Sequence, residues 1–149
     1  MDKIVTDEKI LRQVSKDTTQ EAVDRISLGS RLKEAVKGAW TEGGGLAAIQ
    51  IGIPVRFAWY RWKGEDKYLL NPEIIMKIGK RTYHEACLSI PDVWSDVPRA
   101  YEIEYMSHGT KHRAKGLRAV FISHEIDHMN GILNTDTATK TTKTETVKT

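Results

Sequence analysis

The chain has few of the features that mark secreted, membrane and nucleic-acid-binding proteins. Its 149 residues contain one cysteine, Cys87, so no internal disulfide can form and a reducing compartment is expected. No stretch approaches the roughly 18 apolar residues of a membrane span, and the N-terminus has no apolar signal region. The net charge of +3 is too small to indicate nucleic-acid binding by itself. We therefore expect a cytoplasmic globular protein with no membrane contact and no direct nucleic-acid motif.

The strongest chemical signal is the segment His124-Glu125-Ile126-Asp127-His128, within residues 117–131. Histidines four residues apart on a helix lie one turn above each other, so both imidazoles can reach one metal ion. Glu125 projects about 100° round the helix from His124, where its carboxylate can take a proton from water beside the metal. The alternative is an ordinary helix with two partly exposed histidines and a solvated acid.

A catalytic metal site of this kind needs a third protein ligand and one open position. No histidine follows His128, and the next position that would match a metallopeptidase ligand is Asn134, which is a poor zinc ligand. The third ligand is therefore expected upstream. Cys87 is the only soft ligand that the chain offers, although a lone cysteine is equally typical of a small buried hydrophobe.

Apolar periodicity and turn residues predict two helices and several strands. One helix is predicted over residues 19–37, with a threonine at its N-cap and Gly38 at its end. The other carries the two histidines, begins after Gly116 and ends at Gly131. Strands are predicted over 55–62, 67–71, 73–78, 80–85, 101–106 and 110–115.

These elements predict an α+β fold, in which mostly antiparallel sheets pack around a central metal-binding helix and a second helix lies near the N-terminus. Residues 1–136 are expected to form a single catalytic domain. The tail, residues 137–149, is rich in threonine and lysine and has no apolar periodicity, so we expect it to be mobile.

A glycine-rich segment, Gly43-Gly44-Gly45-Leu46-Ala47-Ala48-Ile49-Gln50, carries a second signal. The glycines permit close approach of another backbone, and a glutamine in an apolar run needs a hydrogen-bond partner if it is buried. The segment does not match the phosphate-binding fingerprints. By itself it is equally typical of a tight turn followed by a satisfied core glutamine.

Taken together, residues 43–50, the segment Glu85-Ala86-Cys87-Leu88-Ser89 and residues 124–128 resemble, in order and spacing, the three motifs of peptide deformylase. The resemblance covers residues 5–136. It implies hydrolysis of the formyl amide of N-formylmethionyl peptides from newly made proteins, with release of formate. Matching positions imply metal ligands at Cys87, His124 and His128, a general base at Glu125, and oxyanion donors at the Gln50 side chain and the Leu88 backbone N–H.

The resemblance also implies how the peptide is held. Gly45 matches a glycine whose backbone pairs with the substrate, and the pocket for the methionine side chain is expected to be lined by Gly44, Tyr83, Val120, Phe121 and His124. Plain core packing is an equal alternative for Val120. Because Gly44 replaces a bulkier apolar residue common in the family, it is expected either to widen the pocket or to loosen its loop. An ion pair between Glu85 and Arg99 is expected to support the Cys87 loop.

The expected cofactor is one divalent metal ion, Fe²⁺ in the cell, for which Zn²⁺, Ni²⁺ or Co²⁺ can substitute. The sequence resembles a short form without the family's usual C-terminal helix, so contact with the ribosome has little support, and a monomer is expected. Two alternatives stay open. One is a metallopeptidase of the His-Glu-x-x-His type, and the other is a non-catalytic module that binds a metal or a peptide.

Overall fold

The computed structural model of the protein describes residues 1–37, 39 and 44–144. Gly38, the predicted end of the first helix, lies outside these residues, as do Gly43 and the last part of the tail, residues 145–149. None of the helices in the described part combines the length and the apolar character that crossing a bilayer requires.

The described residues form five α-helices, one 3-10 helix and nine strands. The helices are α1 (Glu8–Leu11), α2 (Gln20–Arg25), α3 (Leu28–Val36), α4 (Leu117–Met129) and α5 (Asn134–Thr137), and the 3-10 helix is Ala48–Ile51. The strands are β1 (Gly45–Ala47), β2 (Phe57–Trp62), β3 (Glu65–Leu70), β4 (Glu73–Ile78), β5 (Arg81–Cys87), β6 (Ile90–Arg99), β7 (Glu102–Ser107), β8 (Thr110–Lys115) and β9 (Lys140–Lys143).

Three antiparallel sheets surround helix α4. Their strand orders are β1-β2-β3, β4-β7-β8 and β5-β6-β9. Ala119, Ile122, Ile126 and Met129 of α4 belong to the buried core cluster that also contains residues of β1, β2, β3, β7 and β8. The predicted α+β fold around a central helix is therefore confirmed.

The single helix predicted over residues 19–37 is wrong, because the chain forms two helices there. Thr19 caps α2, and its hydroxyl oxygen accepts a hydrogen bond from the N–H of Ala22 at 3.1 Å. Ser27 then adopts a left-handed conformation with φ 53°, and α3 starts in a new direction. The turn lets Val23 of α2 and Leu32 of α3 pack in one buried cluster.

The end of α4 is set by Gly131, as predicted. The N–H of Gly131 donates to the carbonyl of His128 at 3.1 Å, and the N–H of Ile132 donates to the carbonyl of Asp127 at 2.9 Å, which is the Schellman pattern. Gly131 has φ 73°, and a Cβ there would lie 2.4 Å from the carbonyl oxygen of Arg12. Both the turn and the close approach therefore require glycine.

Two strands, β6 and β9, form where the sequence patterns predict none. No strand is predicted over residues 90–99, yet β6 is the central strand of its sheet. In the tail, α5 crosses the predicted boundary at residue 136, and β9 pairs with β6 along Val93–Asp96. Threonine and lysine composition did not indicate this strand.

Candidate metal centre and active site

Three potential metal ligands converge from two elements that lie far apart in the chain. Cys87 ends strand β5, and His124 and His128 lie one turn apart on α4. The Nε2 atoms of the two histidines are 3.1 Å apart, and Sγ of Cys87 lies 3.4 Å from Nε2 of His128. All three donor atoms lie within 4.8 Å of one another, so one ion could contact them together.

The 3.1 Å between the two nitrogens and the 3.4 Å between Sγ of Cys87 and Nε2 of His128 are close to the separations around a single tetrahedral ion. With roughly 2.0–2.1 Å from a metal to each imidazole nitrogen, two such nitrogens lie about 3.3 Å apart, and a nitrogen and a thiolate sulfur lie about 3.6 Å apart. A thiolate with two imidazoles is also a donor set that suits zinc or ferrous iron. Burial lowers the pKa of His128 well below its ordinary value, which favours the neutral imidazole that a metal needs.

A network of charged side chains orients the first histidine. The Nδ1 atom of His124 lies 2.9 Å from a carboxylate oxygen of Glu85, which leaves Nε2 for a metal. Arg99 donates to both oxygens of Glu85, at 2.8 and 3.0 Å, and to the carboxylate of Asp127 at 2.6 Å. The predicted contact between Glu85 and Arg99 is present. The network also joins β5, β6 and α4, because Asp127 lies on the same helix as His124.

The charges in this network stabilise one another. Burial by itself would raise the pKa of Glu85, but the hydrogen bonds with His124 and Arg99 outweigh burial and lower that pKa to about 2. Burial by itself would lower the pKa of the Arg99 guanidinium, but its hydrogen bonds and charge interactions with Glu85 and Asp127 raise it. Glu85 therefore stays ionised and keeps its hydrogen bond with His124 over the whole physiological pH range.

Glu125 lies beside the ligands with one carboxylate oxygen unpaired. Its side chain is buried, and its Oε1 atom has no hydrogen-bond partner among the described residues. Burial raises the pKa of this carboxyl to about 7, although the charges of His124 and Arg99 act in the opposite direction. A Cβ on Gly45 would lie 2.7 Å from Oε2 of Glu125. Gly45 therefore leaves the space in which the carboxylate sits.

The side chain of Gln50 is held in place by two neighbours. Its Oε1 accepts from the N–H of Ala47 at 3.0 Å, and its Nε2 donates to the hydroxyl of Ser89 at 3.1 Å. The same Nε2 lies 3.8 Å from Sγ of Cys87, so the amide faces the metal ligands. Leu88, which follows Cys87, borders the same cavity. The buried glutamine thus has the partners that its sequence context requires.

A cavity of about 190 Å³ opens beside these groups. All the residues predicted to bind substrate line it, namely Gly44, Gly45, Tyr83, Val120 and Phe121. A Cβ on Gly44 would lie 2.9 Å from the Phe121 ring, so the phenyl ring occupies the space that a larger side chain at this position would take.

Sequence reasoning missed several residues of the site. Trp94 and Leu117 line the cavity, Ser89 holds Gln50, and Asp127 completes the Arg99 network. Ser89 and Asp127 stand inside the quoted motifs, so their positions offered a signal. Trp94 had no such signal, because strand β6 itself was not predicted.

The other three histidines are surface or turn residues, as predicted. The Nδ1 atom of His84 lies 2.8 Å from a carboxylate oxygen of Asp96. His108 contacts the hydroxyl of Ser107, and His112 contacts the hydroxyl of Thr110. None of the three belongs to the group of donor atoms around Cys87.

The sequence profile of the polypeptide deformylase family matches residues 1–144 of the chain. The chain belongs to this family. The peptide deformylase of Rhizobium meliloti (strain 1021) is 37% identical, in an alignment that covers 92% of this chain and 84% of the relative. That of Agrobacterium fabrum is 38% identical, over 89% of this chain and 84% of the relative.

Solved structures of peptide deformylases have the same fold. A probable peptide deformylase from Synechococcus phage S-SSM7 superposes with a TM-score of 0.83 at 32% identity, over 92% of this chain and 99% of that one. The enzyme from Thermotoga maritima gives a TM-score of 0.85 at 28% identity, over 94% and 99% of the two chains. A peptide deformylase from Synechococcus elongatus, solved in complex with actinonin, gives a TM-score of 0.77 at 31% identity, over 92% and 78%.

Family membership decides between the functions that the sequence left open. Peptide deformylases are metal-dependent hydrolases, and neither a His-Glu-x-x-His metallopeptidase nor a non-catalytic module is favoured. The upstream cysteine that completes the ligand group agrees with this result.

Proposed function

We propose that Cys87, His124 and His128 hold the catalytic metal of this peptide deformylase and that Glu125 is its general base. The reaction is that of the family, removal of the N-formyl group from newly made peptides with release of formate. The observation that carries the assignment is the convergence of one sulfur and two imidazole nitrogens within 4.8 Å, next to a buried carboxylate oxygen with no partner among the described residues.

Cys87, His124 and His128 would hold a divalent metal there, which would supply Lewis acidity and make water at the site more acidic. Glu125 accepts the proton that the water loses in its attack on the formyl carbon, and then delivers that proton to the departing amine nitrogen. Its pKa of about 7 suits both transfers near neutral pH. General acid–base help of this kind contributes roughly 10²- to 10⁴-fold in rate.

Negative charge develops on the formyl oxygen during the attack. We assign its stabilisation to the side-chain N–H of Gln50 and the backbone N–H of Leu88. Gln50 suits this role because Ala47 and Ser89 fix its amide in advance, so little reorganisation is needed in the transition state. One such donor contributes about 3–4 kcal/mol.

The formylated peptide enters between two sheet edges. Among the described residues, β1 pairs only with β2, and β5 pairs only with β6, so each strand has a free edge bordering the cavity. An extended peptide can hydrogen-bond along such an edge. Its methionine side chain then occupies the apolar part of the cavity, against Val120 and Phe121.

We propose Fe²⁺ as the metal in the cell, with Zn²⁺, Ni²⁺ or Co²⁺ able to substitute. The sulfur and imidazole donors suit both iron and zinc, and the resemblance to the family favours iron. An iron site with a thiolate ligand is sensitive to oxidation. Anaerobic purification followed by metal analysis tests this assignment, and a preparation that contains only zinc and is fully active would contradict it.

We also propose that the protein acts in the cytoplasm as a monomer. Its substrates are newly made chains, and its one cysteine must stay reduced to serve as a ligand. All the assigned catalytic groups come from one chain, so the reaction needs no second copy.

The direct test is formate release from formyl-Met-Ala-Ser by the anaerobically prepared protein, with casein cleavage measured in parallel. We expect formate release that stops when the metal is removed by a chelator and returns when Fe²⁺ is added. Casein cleavage without formate release would contradict the proposal.

A further inference from the structure

The β5–β6 hairpin carries an ordered ring pair beside the cavity. His84 and Trp94 stack with ring centroids 5.1 Å apart and an angle of 11° between the ring planes. The His84 imidazole also contacts the carboxylate of Asp96 at 2.8 Å, which holds it against the indole. His84 and Trp94 both line the cavity.

The ring pair lies on the outer face of its sheet. Successive side chains of a strand point to opposite faces, and Glu85 of β5 points towards α4, where it contacts His124. His84 and Ala86 therefore point away from α4. Trp94 is the register partner of Ala86, so it lies on this outer face as well. The small side chain of Ala86 leaves room for the indole to reach the edge of β5.

The same alternation applies to a substrate bound along that edge. If the methionine side chain enters the cavity on the inner face, the side chain of the next residue points to the outer face. Cross-strand neighbours on one face come within about 5 Å of each other, and diagonal neighbours remain within reach of aromatic side chains. The second residue of the peptide would then lie beside His84 and Trp94.

We propose that the His84–Trp94 ring pair is a binding subsite for the second residue of the formylated peptide, with a preference for aromatic side chains. This inference rests on the proposed function, because it uses the same substrate and the same sheet edge. An aromatic ring gains from offset or edge-to-face contact with another ring. An acidic side chain is disfavoured by the nearby carboxylate of Asp96.

The test compares formyl-Met-Phe-Ser, formyl-Met-Leu-Ser, formyl-Met-Ala-Ser and formyl-Met-Asp-Ser by formate release. We expect kcat/KM to fall in that order, with the phenylalanine peptide about 2- to 10-fold above the alanine peptide, as ring–ring contact predicts. The difference should appear mainly in KM, because the subsite lies away from the reacting atoms.

Two variants and one control assign the preference to the ring pair. Trp94→Ala should bring the ratio of phenylalanine to alanine peptide close to one, and His84→Ala, which removes a more exposed ring, should lower it as well. His112→Ala is the matched control, because His112 also stacks on an aromatic ring, Tyr105, at 5.3 Å but lies on β8 outside the cavity. It should keep the wild-type ratio.

Equal kcat/KM for the phenylalanine and alanine peptides would overturn the proposed subsite while leaving the deformylase assignment in place. A wild-type ratio in both Trp94→Ala and His84→Ala would overturn it too. A complete lack of formate from all four peptides would instead contradict the proposed function and this inference with it.

Discussion

Two clusters in this chain contain the same kinds of side chain but differ in burial and in the groups that their histidines face. Each has two histidines, one glutamate and one arginine. We call them the metal-site cluster (Glu85, Arg99, His124 and His128) and the hairpin cluster (Glu104, His108, His112 and Arg113). The first joins β5 and β6 to α4, and the second lies on the β7–β8 hairpin.

The exposure of the side chains and the direction of the histidine nitrogens distinguish the two clusters. In the metal-site cluster the side chains of Arg99 and Glu85 are 6% and 7% exposed, and the two histidine nitrogens face each other. In the hairpin cluster Arg113 is 62% exposed. Its histidines contact hydroxyl groups of neighbouring residues rather than each other. Residue types alone therefore do not make a metal site; the donor atoms must also converge where water is excluded.

The largest effect is expected from removing the Cys87 sulfur, which lies beside the metal-site cluster and has no counterpart in the hairpin cluster. Cys87→Ala should abolish metal retention and lower formate release by roughly 100-fold or more, because ligand loss costs at least as much as the loss of an outer-shell partner. Metal content and formate release measure this. The control is His112→Ala, and a Cys87→Ala protein with a full complement of metal would contradict the ligand assignment.

The Glu125→Ala variant should lose catalytic activity and still bind the metal at the same site. We expect metal content to stay at the wild-type level and kcat to fall roughly 10²- to 10⁴-fold, because the variant loses proton transfer but no ligand. Metal analysis and formate release on one preparation provide the check. Activity close to wild type would exclude Glu125 as the general base.

The third prediction compares the two arginines. Arg99→Ala should reduce the free energy of unfolding by about 3–5 kcal/mol, because it removes the guanidinium that pairs with the buried Glu85 and the half-buried Asp127. Arg113→Ala should cost less than about 1 kcal/mol, as is typical of an exposed ion pair. Urea unfolding of both variants at neutral pH measures the difference, and equal losses would show that burial does not distinguish the clusters.

The smallest expected effect is the change of folding stability with pH that comes from His108 in the hairpin cluster. Burial and the neighbouring His112 lower the pKa of His108 below its ordinary value of 6.5. The unfolded chain therefore binds a proton here more readily than the folded chain, and this contribution to stability is lost as pH falls through 6.5 and the lower folded pKa.

Urea midpoints at about pH 7.5 and about pH 5.5, for wild type and His108→Asn, test this sign. Asparagine suits the left-handed backbone at this position, where φ is 54°. The wild type should lose slightly more stability on acidification than the variant. A greater loss in the variant would reverse the inferred direction of the pKa shift.

Local patterns in the sequence predicted much of this fold, because they depend on neighbours within one turn or one strand. The i, i+4 histidines of α4, its end at Gly131 and the strand over residues 110–115 are of this kind. The break at Ser27 and strand β6 were missed, since both depend on packing against distant elements. Pro91 and Pro98 fit into β6 because both lie outside Trp94–Asp96, the stretch that pairs on both sides.

The sequence by itself determined which atoms are available for chemistry: one thiol, two histidines one helical turn apart, and a carboxylate between them. Only the tertiary structure decided that Cys87 meets His128 across 41 positions of the chain, and that Asp127, Ser89 and Trp94 join the site. The physical reason is that distances between remote residues follow from how sheets and helix pack, and no local periodicity encodes them.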